Sequence, residues 1–223
     1  GGNYEETWVL KTKKYNDYTE ENGVIEEEVK GFDRFMKYNY SASVGTTIYG
    51  TVNFKPESNI QSIRHTIKPN ISYSNMPSFE QYYDTYIIDA EGNTAEYTRF
   101  KGGLFGIPSK SGGGSIGINI QNTFEAKVKP KDSTQTELQK IKLIDNLNIS
   151  TSYSMSAEQF KLSPIRISTG FTFFKSLKVN TAATFDVYAL DENNIRINEF
   201  NIKNGGGLLR LTSANLSAQY QLN

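Results

Sequence analysis

Cysteine is absent from the 223-residue chain. That excludes disulfides, thiolate metal sites and thiol nucleophiles, and leaves the compartment open. A prevailing charge is absent as well. The 24 Lys and Arg are matched by 24 Asp and Glu, so net charge points to neither nucleic acid nor a polyanionic partner. No window holds about 18 consecutive apolar residues, which rules out a membrane-spanning helix. Residues 1–20 are polar and charged and carry no signal-peptide pattern. Histidine occurs once, as His65. Apolar residues make up only 37%, yet aromatics reach 13%, with 14 Tyr.

What is present is alternation. In KYNYSASVGTTIYGTVNF (37–54) every second residue from Tyr38 is apolar or small, and those between are almost all polar. The run far exceeds the about 5–6 residues of an average strand. The same period-2 pattern recurs in 62–74 (Ile63, His65, Ile67, Pro69, Ile71, Tyr73), 116–128 (Ile116 to Val128), 141–155, 165–173, 177–189 and, less cleanly, 209–222. Sustained helical periodicity is missing. The first 35 residues read less clearly, as strands near 5–13 and 23–30 or as an outer loop.

The connections are uneven. Residues 55–61, 130–139 and 174–176 are short, whereas 75–113 and 190–206 are long and rich in Gly, Asn, Asp and Ser. Successive hairpins then place short turns mainly at one end and long loops at the other. Outer-membrane barrels have this asymmetry. Within the apolar phase of the clear strands only Asp145 and Arg210 are charged. A lipid-facing wall and a buried core both select against charge in this way, so alternation alone also fits a soluble sandwich. Length and composition favour the membrane. A tilted membrane strand needs about 9–11 residues, which these runs reach or exceed. The polar phase is rich in Ser, Thr, Asn and Gly, and Tyr38, Tyr40, Phe54 and Tyr73 lie toward strand ends, as an interfacial girdle requires. The expected fold is all-β: an antiparallel transmembrane β-barrel segment of roughly seven to eleven strands over 36–223.

Several blocks together carry a resemblance: IRHTIKPNISYS followed by YYDTY, then KGGLFGIPS and GGGSIGINIQNTFEAKV, KIKLIDNLNISTSYSMSAEQFKLSPI, FDVYALD and GGGLLRLTSA. Over roughly 33–214 the chain resembles the barrel region of LptD, the lipopolysaccharide-assembly family, in its Bacteroidota branch. The likeness lies in ordered strand blocks and not in a catalytic signature. It implies a large barrel in the outer membrane, plugged by an LptE-type lipoprotein and fed by a periplasmic Lpt bridge, that inserts lipopolysaccharide into the outer leaflet. It implies contact with outer-membrane lipids, no nucleic acid, no covalent chemistry and no cofactor. The chain lacks a recognisable jellyroll and ends in SAQYQLN without a terminal aromatic, so the expectation is a contiguous segment of a larger protein.

The polar phase carries a basic bias toward the short-turn end. Lys55, Arg64, Lys68, Lys127, Lys129, Lys142 and Lys178 form a candidate band for the phosphates and carboxylates of an ascending glycolipid, with Lys131 and Lys175 nearby. The plainer alternative is a rim that neutralises lipid headgroups. Pro69 interrupts an alternating run and cannot donate to a ladder, so it marks an edge, a bulge or a weakened seam. No catalytic or metal residue is assigned. His65 reads as a packing residue, and DAEGNTAEY (89–97) departs from a calcium-loop spacing. Two other functions compete: a passive porin-like channel and, further off, a secreted β-sandwich adhesin.

Overall fold

The computed structural model describes residues 1–130, 137–173 and 177–221. Strands dominate: β1 (Gly2–Thr19), β2 (Gly23–Gly45), β3 (Ile48–Asn53), β4 (Ile60–Met76), β5 (Tyr83–Ile87), β6 (Thr94–Thr98), β7 (Gly113–Val128), β8 (Gln139–Ser154), β9 (Ile165–Phe173), β10 (Leu177–Asp186), β11 (Tyr188–Leu190), β12 (Arg196–Phe200) and β13 (Arg210–Tyr220). The helical elements among the described residues are two 3₁₀ turns, Glu80–Tyr82 and Asn201–Asn204. Among the described residues no helix is long and apolar enough to cross a membrane. The fold is all-β and antiparallel, and its sheet is open. β5, β6 and β12 lie inside the stretches that sequence marks as long loops, and β11 takes the last two residues of the run 177–189 with Leu190. Strands of three to five residues are too short to show a period.

Two compact units form. The first joins residues 1–42 with 74–114. Its frame is the β1–β2 hairpin, whose strands run well past the weak signals at 5–13 and 23–30. A ladder irregularity sets Leu10 against two residues, Gly31 and Phe32. Gly31 has a φ of 154°, a value L side chains rarely adopt. One face of the hairpin exposes Tyr4, Trp8, Leu10 and Phe32. The other carries Phe35 with Asp33, Lys11, Lys13 and Glu26, and the connection 77–112 crosses it as a strap. At one side the Met36 N–H donates to Tyr82 Oη over 3.0 Å. At the other the Lys13 N–H donates to the Arg99 carbonyl over 2.8 Å. Between them Phe35, Phe79, Tyr82 and Phe100 make a small aromatic core.

The second unit joins 43–73 with 115–223. Its sheet runs β3, β4, β7, β8, β9, β10, β13 in order, each strand hydrogen-bonded to the next. The register settles what each phase meets. Apolar residues stand opposite apolar residues: Ile48 and Ile67, Val52 and Ile63, Ile120 and Ile149, Ile149 and Ile167, Phe171 and Val179, Ala183 and Ala214. Polar residues likewise meet polar ones: Asn119 and Ser150, Gln121 and Asn148, Asn148 and Ser168. Of the apolar stripe, Ala126, Val187 and Ala189 are buried, and much of the rest is open. Val44, Ile48, Val52, Ile118, Ile141 and Leu143 are exposed, and Leu216 keeps 73% of its surface open. Contiguous exposed apolar surface of this extent marks a lipid or partner interface.

Both charged exceptions disappear at irregularities of the ladder. β8 carries an extra residue between Leu147, opposite Asn122, and Ile144, opposite Phe124. Ile144 therefore takes the place that sequence assigns to Leu143 or Asp145. Asp145 Oδ2 instead accepts a 2.6 Å hydrogen bond from Thr172 of the polar phase. β13 likewise carries an extra residue between Ser213 and Leu211, so Leu211 faces Phe185 and Arg210 faces Asp186. The two-faced sheet, set against the membrane wall expected from sequence, gives a direct test. Ile118→Lys should lower the outer-membrane-inserted fraction, with a cost of about 2–4 kcal/mol near the bilayer centre. Asn119→Lys, on the opposite face, should insert normally when heat-modifiable gel mobility is compared.

Candidate functional site

Pro69 lies where the wall of the second unit is interrupted. β2 ends at Gly45 and β3 begins at Ile48. The Thr46 N–H donates to the Pro69 carbonyl over 3.2 Å, but proline has no N–H to return the bond. Gly45 fits tightly here: a Cβ at this position would lie 3.0 Å from Asn70 Nδ2 and 3.1 Å from the Pro69 carbonyl oxygen, so a side chain would need these neighbours to give way. The break opens a polar recess lined by Thr47, Lys68, Asn70, Asn119 and Gln121.

A second recess, of about 240 Å³, lies on the polar phase nearer the short turns. β3 supplies Thr51 and Asn53, β4 supplies Ser62 and Arg64, β7 supplies Glu125 and Lys127, and β8 supplies Lys140. Arg64 pairs with Glu125 and lies 6.0 Å from the Tyr49 ring centre. The ladder sets Glu125 opposite Lys142 and Lys127 opposite Lys140. Three members of the predicted band, Arg64, Lys127 and Lys142, are thus brought together around one carboxylate. Lys55 and Lys129 flank them in connections. The Lys129 N–H donates to the Asn59 carbonyl over 2.9 Å, tying the β3–β4 turn to the end of β7. Lys68 belongs to the Pro69 recess, and Lys178 stands opposite Thr172 and Gln219, away from the cluster. Lys131 and Lys175 lie outside the described residues. Lys140 was not among the predicted residues. Extending the alternation of 141–155 back by one residue would have found it.

The other singled-out residues have structural partners. His65 stacks on Phe124 with ring centres 4.0 Å apart, and its Nε2 lies 2.9 Å from Asn122 Oδ1. Asn122 Nδ2 donates to the Leu147 carbonyl, so its oxygen accepts from the imidazole. Asp89 closes a turn in the β5–β6 hairpin by accepting from the Asn93 side chain and N–H, at 2.7 and 2.9 Å. Those two bonds hold its carboxyl below the usual carboxylate range. At the long-loop end, Asp186 is 4% exposed. Arg196 Nε lies 2.7 Å from its Oδ2, and Arg210 Nη2 lies 3.3 Å away. The Arg196 guanidinium sits over Phe160 and Tyr188, at 4.4 and 4.8 Å. Asp186 falls on the polar phase of the run 177–189, but the cluster is not legible in sequence, because Arg196 comes from a separate loop strand.

The family model described as LptD protein matches residues 1–188. The chain belongs to the LptD family. The match includes the first 35 residues, which the resemblance in the strand blocks had left aside. No curated protein and no solved structure matches. Membership carries a role in lipopolysaccharide transport and assembly at the bacterial outer membrane, with lipopolysaccharide and the Lpt pathway as partners.

Proposed function

We propose that this LptD-family chain forms part of the barrel wall through which lipopolysaccharide enters the outer leaflet. The observation that carries this reading is the register of the second unit. It aligns an exposed apolar stripe on one face and a hydroxyl- and amide-rich stripe on the other, across β3 to β13. The polar face lines the path of the sugar, and the apolar face meets hydrocarbon. Acyl chains leave by a lateral path, and the ladder gap at Pro69 is a place where the wall parts more readily. The short-turn end is periplasmic, and its basic residues draw the phosphates of the arriving glycolipid. An LptE-type plug lipoprotein and the periplasmic Lpt bridge complete the machine.

Photo-crosslinking in cells tests this. A probe at Ser150, on the polar face, should capture newly made lipopolysaccharide by its sugar. One at Ile149, next in the chain on the apolar face, should capture phospholipid. Capture of lipopolysaccharide sugar at Ile149 and not at Ser150 would reverse the faces and sink the reading.

A further inference from the structure

The recess around Glu125 is short of negative charge. Arg64, Lys127 and Lys140 line it and Lys142 stands opposite Glu125 in the ladder, four cations near one carboxylate. Lys127 and Lys140 stand directly opposite each other, a pairing that destabilises a ladder unless something offsets it. The lining adds Thr51, Asn53 and Ser62, neutral groups suited to hydrogen-bonding an oxyanion. At about 240 Å³ the space falls below the roughly 300–1,000 Å³ of pockets that enclose a drug-sized ligand. It suits a single phosphoryl head and not a whole glycolipid.

We propose that this recess is a transient phosphoryl-binding station and that Glu125 is its resident competitor. The inference rests on the proposed passage of lipopolysaccharide along the polar face and deepens it. A guanidinium donates to carboxylate and phosphate oxygens alike, so Glu125 holds on Arg64 the place a phosphoryl oxygen would take. An arriving phosphoryl group gains the two opposed lysines and displaces the carboxylate from Arg64. The returning carboxylate then favours release. A conduit needs this balance, because a site must bind well enough to admit its cargo and weakly enough to let it go. Four cations without Glu125 would trap the headgroup.

The test uses the full chain purified from outer membranes into nanodiscs. It is titrated with phosphorylated lipopolysaccharide, with its enzymatically dephosphorylated form, and with inorganic pyrophosphate. Glu125→Gln should tighten phosphorylated lipopolysaccharide about tenfold and slow its dissociation, with no gain for the dephosphorylated form. Glu125→Asp should restore the original affinity, a rescue that mere loss of packing would not give. Lys127→Gln combined with Lys140→Gln should weaken binding and flatten its salt dependence. Equal tightening for pyrophosphate assigns recognition to the phosphoryl group alone. Tightening for lipopolysaccharide only makes the attached sugar part of the ligand, and either result supports the station. Unchanged or weaker binding in Glu125→Gln overturns the competitor role. Continued capture of lipopolysaccharide at Ser150 in that variant would show that the transport reading stands without it.

Discussion

Asp186→Ala should lower the unfolding free energy by about 3 kcal/mol, the low end for breaking a buried ion pair. The carboxylate is the charge partner of two guanidiniums, and its removal leaves Arg196 and Arg210 facing each other. The two arginine side chains keep 33% and 28% of their surface in water, which limits the loss. The Tyr188 N–H also loses its acceptor, a 3.1 Å bond to Oδ1. The damage should spread along the chain 187–209, because Arg196 also anchors Phe160 and Tyr188. Urea unfolding in detergent would read the stability, and limited proteolysis would read the loop. Replacing all three charges together, Asp186→Leu with Arg196→Met and Arg210→Met, should recover most of the loss. A fall below about 1 kcal/mol for Asp186→Ala would mean that water already screens the cluster.

Phe35→Ala should cost about 3–5 kcal/mol, the range for truncating a buried aromatic. Phe35 is 1% exposed, and its ring centre lies 4.7 Å from that of Phe100 and 6.3 Å from that of Tyr82. The cavity would fall at the middle of the aromatic core that seats the strap. Arg99 is held by this core and by Asp33, 2.7 Å away, and its carbonyl accepts from Lys13. Loosening Phe35 should therefore release the strap from β1 and expose 99–107 to protease. Leu104→Ala serves as the control, since Leu104 is 96% exposed and should change neither stability nor cleavage. Unchanged protection in Phe35→Ala would show that the strap's other contacts, among them the Met36 and Lys13 bonds and the Arg99–Asp33 pair, hold it without the aromatic core.

Phe35 also shows where sequence reading stops. It stands on the polar phase, two residues before Lys37, and period-2 logic assigns it to water. Only the strap folding back from 77–112 makes that position dry. Asp145 and Arg210 teach the same lesson from the other side. Both fall on the apolar phase in sequence, and both are removed from it by an extra residue in the ladder. A bulge is a relation between two strands, so one strand's sequence does not display it. The recess around Glu125 was partly legible. Its basic members were visible as a bias of one phase, but Lys127 and Lys140 became a pair only through the register of β7 on β8.

The amino-acid order alone determined that the chain is built of long strands and, between bulges, which residues each strand turns to either side. Successive side chains on an extended backbone point in opposite directions whatever lies beside them. It also exposed the defect at Pro69, because a missing N–H belongs to the residue itself. The tertiary structure alone decided the register, the bulges, the strap over Phe35 and the grouping of charges at Asp186 and Glu125. Each of these depends on which distant segment arrives opposite, and at what offset, and that is set by packing between strands rather than by any local preference.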